Sequence, residues 1–162
     1  TTMYFGANVL HALVTHPELV APLRADPALI GTFLNEVLRL TGPPQRLFRR
    51  VTRDVEIGGK AIRAGEWVAL FFAAANHDPD VFPDPETLRL DRPNAGEHLT
   101  YGTGVHNCLG GPLGTLEVER MVAALLARYA AIGVGARPPV PQTTTLLQHS
   151  YTAIPVLHRR KA

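Results

Sequence analysis

The stretch Tyr101–Gly111, YGTGVHNCLGG, packs four glycines and the only cysteine of the chain, Cys108, into eleven positions. Glycine at that density weakens helices and strands alike, so the segment must be a bent loop whose backbone comes close to something. The residues after the loop fix its place. Val118, Met121, Val122, Leu125, Leu126 and Tyr129 recur at the 3–4 residue spacing of an amphipathic helix, expected over about Leu113–Ala131. The loop therefore opens onto a helix start, where free backbone N–H groups and the helix dipole favour an anion. A thiol in such a position is drawn toward its thiolate form.

A lone cysteine forms no internal disulfide, which leaves three uses for it. It can be a small buried apolar side chain, a nucleophile with His106 as base, or a metal ligand. Zinc is disfavoured, because one cysteine and scattered histidines lack the paired spacing of zinc ligands. Ligation of iron beneath a flat macrocycle uses every feature of the segment: a thiolate, nearby N–H groups to moderate its charge, and glycines that admit a bulky planar group.

The remaining sequence narrows the class. At 162 residues, with 46% hydrophobic and 19% charged residues, the chain has the composition of one globular domain. Its longest apolar run, Trp67–Ala75, is too short to span a bilayer, so no membrane association is expected. A net charge of +2, with basic residues scattered apart from Arg159–Lys161, does not suit nucleic acid. One cysteine and no secretory signal at TTMYFGANVL lead us to expect a cytoplasmic protein.

Periodicity predicts a helix around Met3–Val14 ended by Pro17, a short one over Pro17–Ala25, and a third opened by Asp26-Pro27 and stopped by Gly42-Pro43-Pro44. Between Leu47 and Leu70, DVEIGGKAI and EWVALFF read as a small antiparallel sheet with a turn at Gly58-Gly59. Asn76–Gly111 reads as a long irregular segment, which is uncommon unless it wraps a ligand or serves a function. The tail from Gly133 holds short strand-like pieces. The expected fold class is mainly α with a minor antiparallel β-sheet.

The cysteine segment resembles the haem-ligand loop of the cytochrome P450 family, in which an aromatic residue, Gly-x-Gly, a basic residue and Cys-x-Gly recur. The resemblance extends over residues 1–162, as the C-terminal haem-thiolate portion of a P450 domain. It implies haem b as cofactor, with Cys108 as axial thiolate and Tyr101, Gly102, His106 and Gly110 shaping the site. His106 stands where the family has a basic group for a haem propionate, and Arg49, with Arg50 as a rival, aligns with a propionate-binding arginine. His98 matches a histidine near the haem edge. Glu36 and Arg39, within NEVLRL, match Glu-x-x-Arg, and Arg92 matches the arginine that joins them in a buried structural network. Leu47 and Phe48, and later Ser150 and Tyr151, resemble segments that line the substrate pocket. Thr1-Thr2 resembles the end of the distal-helix motif, which makes Thr1 the candidate for organising proton supply.

Taken as a whole, the resemblance implies a bacterial monooxygenase. It would hydroxylate a small apolar molecule with dioxygen and electrons from NAD(P)H, passed through a ferredoxin or flavodoxin. Family chains are much longer, so the expectation is a fragment that needs the missing N-terminal part to complete its pocket. The alternative is a catalytically inactive helper protein of the same fold. Three departures stand out: Gly114-Thr115 replaces the usual Ala-Arg after the cysteine, Tyr101 replaces phenylalanine, and His77 replaces an arginine.

Overall fold

Phe5, Val9, Ala12 and Leu13 fall on one face of α1 (Thr2–Thr15), and all four are buried. Pro17 ends α1, since the residue before a proline is driven out of helical geometry. A short 3-10 turn leads into α2 (Val20–Ala25). The helix expected to open at Asp26-Pro27 begins slightly later: Asp26 Oδ1 accepts the Ala28 N–H at 3.0 Å, and α3 runs from Leu29 to Thr41. The computed structural model describes residues 1–161.

The expected single sheet between Leu47 and Leu70 is two separate ladders. Strands β1 (Leu47–Arg50), β2 (Val55–Ile57), β3 (Lys60–Ile62) and β4 (Trp67–Leu70) pair antiparallel as β1 with β4 and β2 with β3. Gly58 and Gly59 both take positive φ between β2 and β3, as the hairpin turn requires. A single turn of helix, α4 (Phe72–Ala75), precedes an irregular segment broken only by two 3-10 turns.

Helix α5 spans Gly111–Arg128, two residues earlier at its start and three shorter at its end than the apolar stripe suggested. Tyr129 turns extended and begins β5 (Tyr129–Val134). The Arg24 side chain from α2 donates to the carbonyls of Leu126 (3.2 Å) and Tyr129 (2.7 Å), a cation at the helix C-terminus that stabilises this exit. The tail completes two more ladders: β6 (Val140–Pro141) pairs with β7 (Tyr151–Ala153), and β5 pairs with β8 (Val156–Arg160). The expected class, mainly helical with minor antiparallel sheet, is what the elements make.

The core lies where α1, α3 and α5 meet. Phe33, Leu34, Val37 and Leu38 of α3 pack against Val9 and Leu13 of α1 and Val118, Val122 and Leu126 of α5. One polar residue crosses this layer: buried Asn8 donates to the carbonyls of Thr41 (2.5 Å) and His149 (3.0 Å), tying α1 to the end of α3 and to the tail.

Candidate functional site

The irregular segment has no ladder to satisfy its carbonyls, and two arginines do so instead. Arg39 on α3 grips buried Glu36 bidentately (2.6 and 3.1 Å) and donates outward to the carbonyls of Asn76, Pro85 and Thr87. Arg92 donates to the carbonyls of Pro83, Asp84 and Thr87, and its Nε lies 3.0 Å from Glu36 Oε1 as an ion pair not aligned for a hydrogen bond. Burial works to raise the Glu36 carboxyl, but hydrogen bonds from Arg39 and the Arg89 N–H, with the Arg92 guanidinium paired beside them, outweigh it and hold the group below the usual range. Glu36, Arg39 and Arg92 therefore form one buried hub that fastens the segment to α3.

That anchorage positions the cysteine loop. Asn76 donates to the Thr100 hydroxyl (3.0 Å), which donates to the Leu38 carbonyl at 2.6 Å. From there the chain turns through Gly102 (φ +69°) and Gly104 (φ +65°), a conformation that residues with a Cβ rarely adopt. The Cys108 N–H returns to the Tyr101 carbonyl at 2.8 Å, closing the loop, and its thiol is exposed just ahead of α5.

A cavity of about 620 Å³ opens at this loop. Cys108, His106, Gly102 and Gly110 line one side, and Thr1, Thr2 and Phe5 of α1 line another. Leu47 and Arg49 of β1, Leu70 of β4 and Phe72 of α4 supply the rest of an apolar wall with one guanidinium. Strand alternation separates Arg49 from its rival: Leu47 and Arg49 share the face toward the cavity, while Phe48 and Arg50 do not line it. Arg49 has no carboxylate in ion-pair range among the described residues. Thr1 stands at the N-cap of α1, yet its hydroxyl makes no capping bond and stays available.

Several expected residues lie elsewhere. His98 is buried behind the loop, edge-on to the Tyr101 ring at 5.5 Å, with its Nδ1 accepting the Thr100 N–H. Burial pushes its imidazole down to about 4, so it is neutral at ordinary pH. Phe48 is half exposed. Ser150 is buried with its hydroxyl 3.5 Å from the Tyr4 carbonyl, and Tyr151 stacks on His11 at 4.1 Å along another flank of α1. Neither lines the main cavity, because pairing of β7 with β6 sets Tyr151 against α1. Sequence reasoning missed Thr100, Thr103 and Phe72 on the cavity wall, and nothing in their local pattern marked them.

The donor set suits a haem. Among the described residues no three His, Cys, Asp or Glu side chains converge, so Cys108 is a single soft donor, fit for a metal that brings its own in-plane ligands. The mostly apolar cavity beside it carries two cationic or protonatable side chains, Arg49 and His106, as a macrocycle with acidic substituents needs.

Comparison with known proteins agrees. The family profile described as Cytochrome P450 matches residues 22–155. The chain is 40% identical over 125 residues to 6-deoxyerythronolide B hydroxylase of Saccharopolyspora erythraea, covering 77% of this chain and 31% of that protein. It is 38% identical over 139 residues to cytochrome P450 monooxygenase PikC of Streptomyces venezuelae, covering 85% of this chain and 33% of PikC. Among solved structures it is similar to substrate-free CYP150A6 of Mycobacterium marinum, with a TM-score of 0.95 and 30% identity over 100% of this chain and 42% of that one. The chain thus spans about a third of the length of the curated relatives it matches.

Proposed function

Since the chain belongs to the cytochrome P450 family, we propose that this protein is a haem-thiolate monooxygenase. In this reading it hydroxylates a small apolar organic molecule with dioxygen and with electrons from NAD(P)H, delivered by a ferredoxin or flavodoxin in the cytoplasm. Residues 1–162 are the C-terminal haem-thiolate portion of the domain, and the N-terminal portion is its structural partner. The observation that carries the reading is the meeting of Cys108 and Thr1, from distant parts of the sequence, on one mainly apolar cavity.

Each lining residue then has a physical task. Cys108 supplies the thiolate that holds haem b, and Arg49 and His106 pair with its carboxylates. Bound there, the haem supplies one-electron and dioxygen chemistry, which a thiolate ligand biases toward O–O cleavage. Thr1 would hold a proton at its uncommitted hydroxyl on another wall of the cavity. Leu47, Leu70 and Phe72 exclude water and give an apolar substrate its surface. Glu36, Arg39 and Arg92 act on architecture alone.

A difference spectrum of the reduced protein with carbon monoxide tests this directly. The native protein should give the long-wavelength thiolate band, and Cys108→Ser should abolish it. Absence of that band from native protein loaded with haem would overturn the reading and favour the inactive helper.

A further inference from the structure

Tyr151, which stands away from the main cavity, carries two imidazoles on its ring. His11 of α1 stacks on it at 4.1 Å with the planes 14° apart, and His149 meets it edge-on at 5.7 Å. His149 belongs to a rung that fastens the tail to the rest of the molecule. Its N–H donates to the Pro43 carbonyl at 2.8 Å, and its carbonyl accepts from the buried Asn8 amide at 3.0 Å. Beside it the Gln45 N–H donates to the Leu147 carbonyl at 2.9 Å, and Gln148 bridges to Pro44. Pro43 and Pro44 line the main cavity, so the tail rung is paired directly with one stretch of that wall.

One atom of the rung is unmatched. His149 Nδ1 is buried and has no hydrogen-bond partner among the described residues. A neutral imidazole tolerates this, because its single proton can sit on Nε2. A protonated one carries N–H on both nitrogens, so the added charge always comes with a buried donor that nothing accepts. The surroundings give that charge no relief. Helix α1 contributes His11 and, at its end, His16, whose Nδ1 lies 3.0 Å from Glu18. Strand β7 contributes the Tyr151 phenol, and the segment Thr41–Gln45 contributes no ionisable side chain. Burial lowers both imidazoles below their ordinary value, His149 and His16 lower His11 further, and no carboxylate acts on either ring.

We propose that His149, with His11 on the same Tyr151 ring, is a proton-sensitive latch on the cavity wall, closed while both rings are neutral and opened when His149 takes up a proton. The sign follows from linkage. An open rung returns His149 to water and to its ordinary 6.5, so it binds a proton that the closed rung refuses, and opening grows as pH falls through that value. Opening removes both bonds that pair the tail with Pro43–Gln45, so the wall loosens in mild acid while the helical core stays folded.

Amide exchange of the native protein between about pH 7.5 and 5.5, corrected for the intrinsic effect of pH on exchange, tests this. Opening at the Gln45 and His149 amides should rise about three- to tenfold across that span, as uptake of up to one proton allows. Amides in β5 and β8 should keep their protection. His149→Phe keeps a ring that takes no proton and should remove the rise. His11→Phe should reduce it, and Tyr151→Phe, which drops only the phenol, should leave it unchanged. A flat response in native protein, a full response in His149→Phe, or loss of β5–β8 protection in step with the rung overturns the latch. Should His149→Phe not fold, NMR titration of the native His149 ring decides: protonation over the pH range in which the rung opens supports the latch, and protonation without opening overturns it. None of these readouts depends on what occupies the cavity.

Discussion

At the scale of single residues, the protein places two ionisable groups out of water and satisfies them in opposite ways. Glu36 stays ionised because Arg39 and Arg92 surround it, so removing its charge leaves two buried guanidinium groups without an anion. Glu36→Gln should lower the unfolding free energy measured in urea by about 3–5 kcal/mol, the usual consequence of breaking a buried pair. A loss under about 1 kcal/mol would mean the carbonyl contacts carry the hub alone. His98 is instead kept neutral, its pKa lowered to about 4 mainly by burial. Between that value and its ordinary 6.5 the unfolded chain binds a proton that the folded chain does not, so stability falls as pH drops through this window. The full loss is on the order of 3 kcal/mol below pH 4. His11 and His149, also lowered by burial, act in the same direction, while Glu36 contributes only below the ordinary carboxylate range. His98→Gln should flatten the profile between pH 6.5 and 4, and an unchanged slope would show that His98 titrates normally in the fold.

Among the elements, α3 shows how glycine position decides the sign of a substitution. Gly31 lies on its exposed face with open space where a side chain would go, whereas Gly42 closes it against the Leu38 carbonyl and the Thr100 side chain. Gly31→Ala should stabilise the protein by about 0.5–1 kcal/mol through helix propensity. Gly42→Ala should destabilise it by about 1–3 kcal/mol, since Thr100 cannot retreat without losing its bonds to Leu38 and Asn76. Thermal melts of the two variants should move in opposite directions; a common direction would refute the steric argument. The same contrast explains what could be read in the sequence. The helices were legible because burial imposes a 3.6-residue repeat, and the cysteine loop because its glycines take rare backbone angles. The end of α5 was not, because Tyr129 continues the apolar stripe while the Arg24 contact that favours the exit comes from far away in the chain. Ser150 and Tyr151 carry the right residue types for a pocket, yet strand pairing sets them against α1. Thr100 owes its place to Leu38 and Asn76, contacts that no local pattern encodes.

Across the whole molecule, the ladders differ in what supports them. Strand β5, paired with β8, lies against α1 and α5, while β1 and β4 form a lone two-stranded ladder with Leu47, Phe48, Trp67 and Leu70 exposed. A two-stranded ladder is marginal in water unless something covers its apolar face. The side chains of Leu47, Arg49 and Leu70 form that face, and they are also cavity wall. Whatever fills the cavity must therefore stabilise β1–β4 more than any other ladder, by linkage between binding and local opening. Amide exchange in β1 and β4 should slow markedly when haem is added to the haem-free protein, while exchange in β5 and β8 should change little. Arg49→Ala should weaken that protection without abolishing it, because the guanidinium contributes one charged contact and the leucines contribute burial. Equal slowing of both ladders would mean that the protein tightens as one body, and no slowing in β1–β4 would mean that the cavity wall is not where the haem rests.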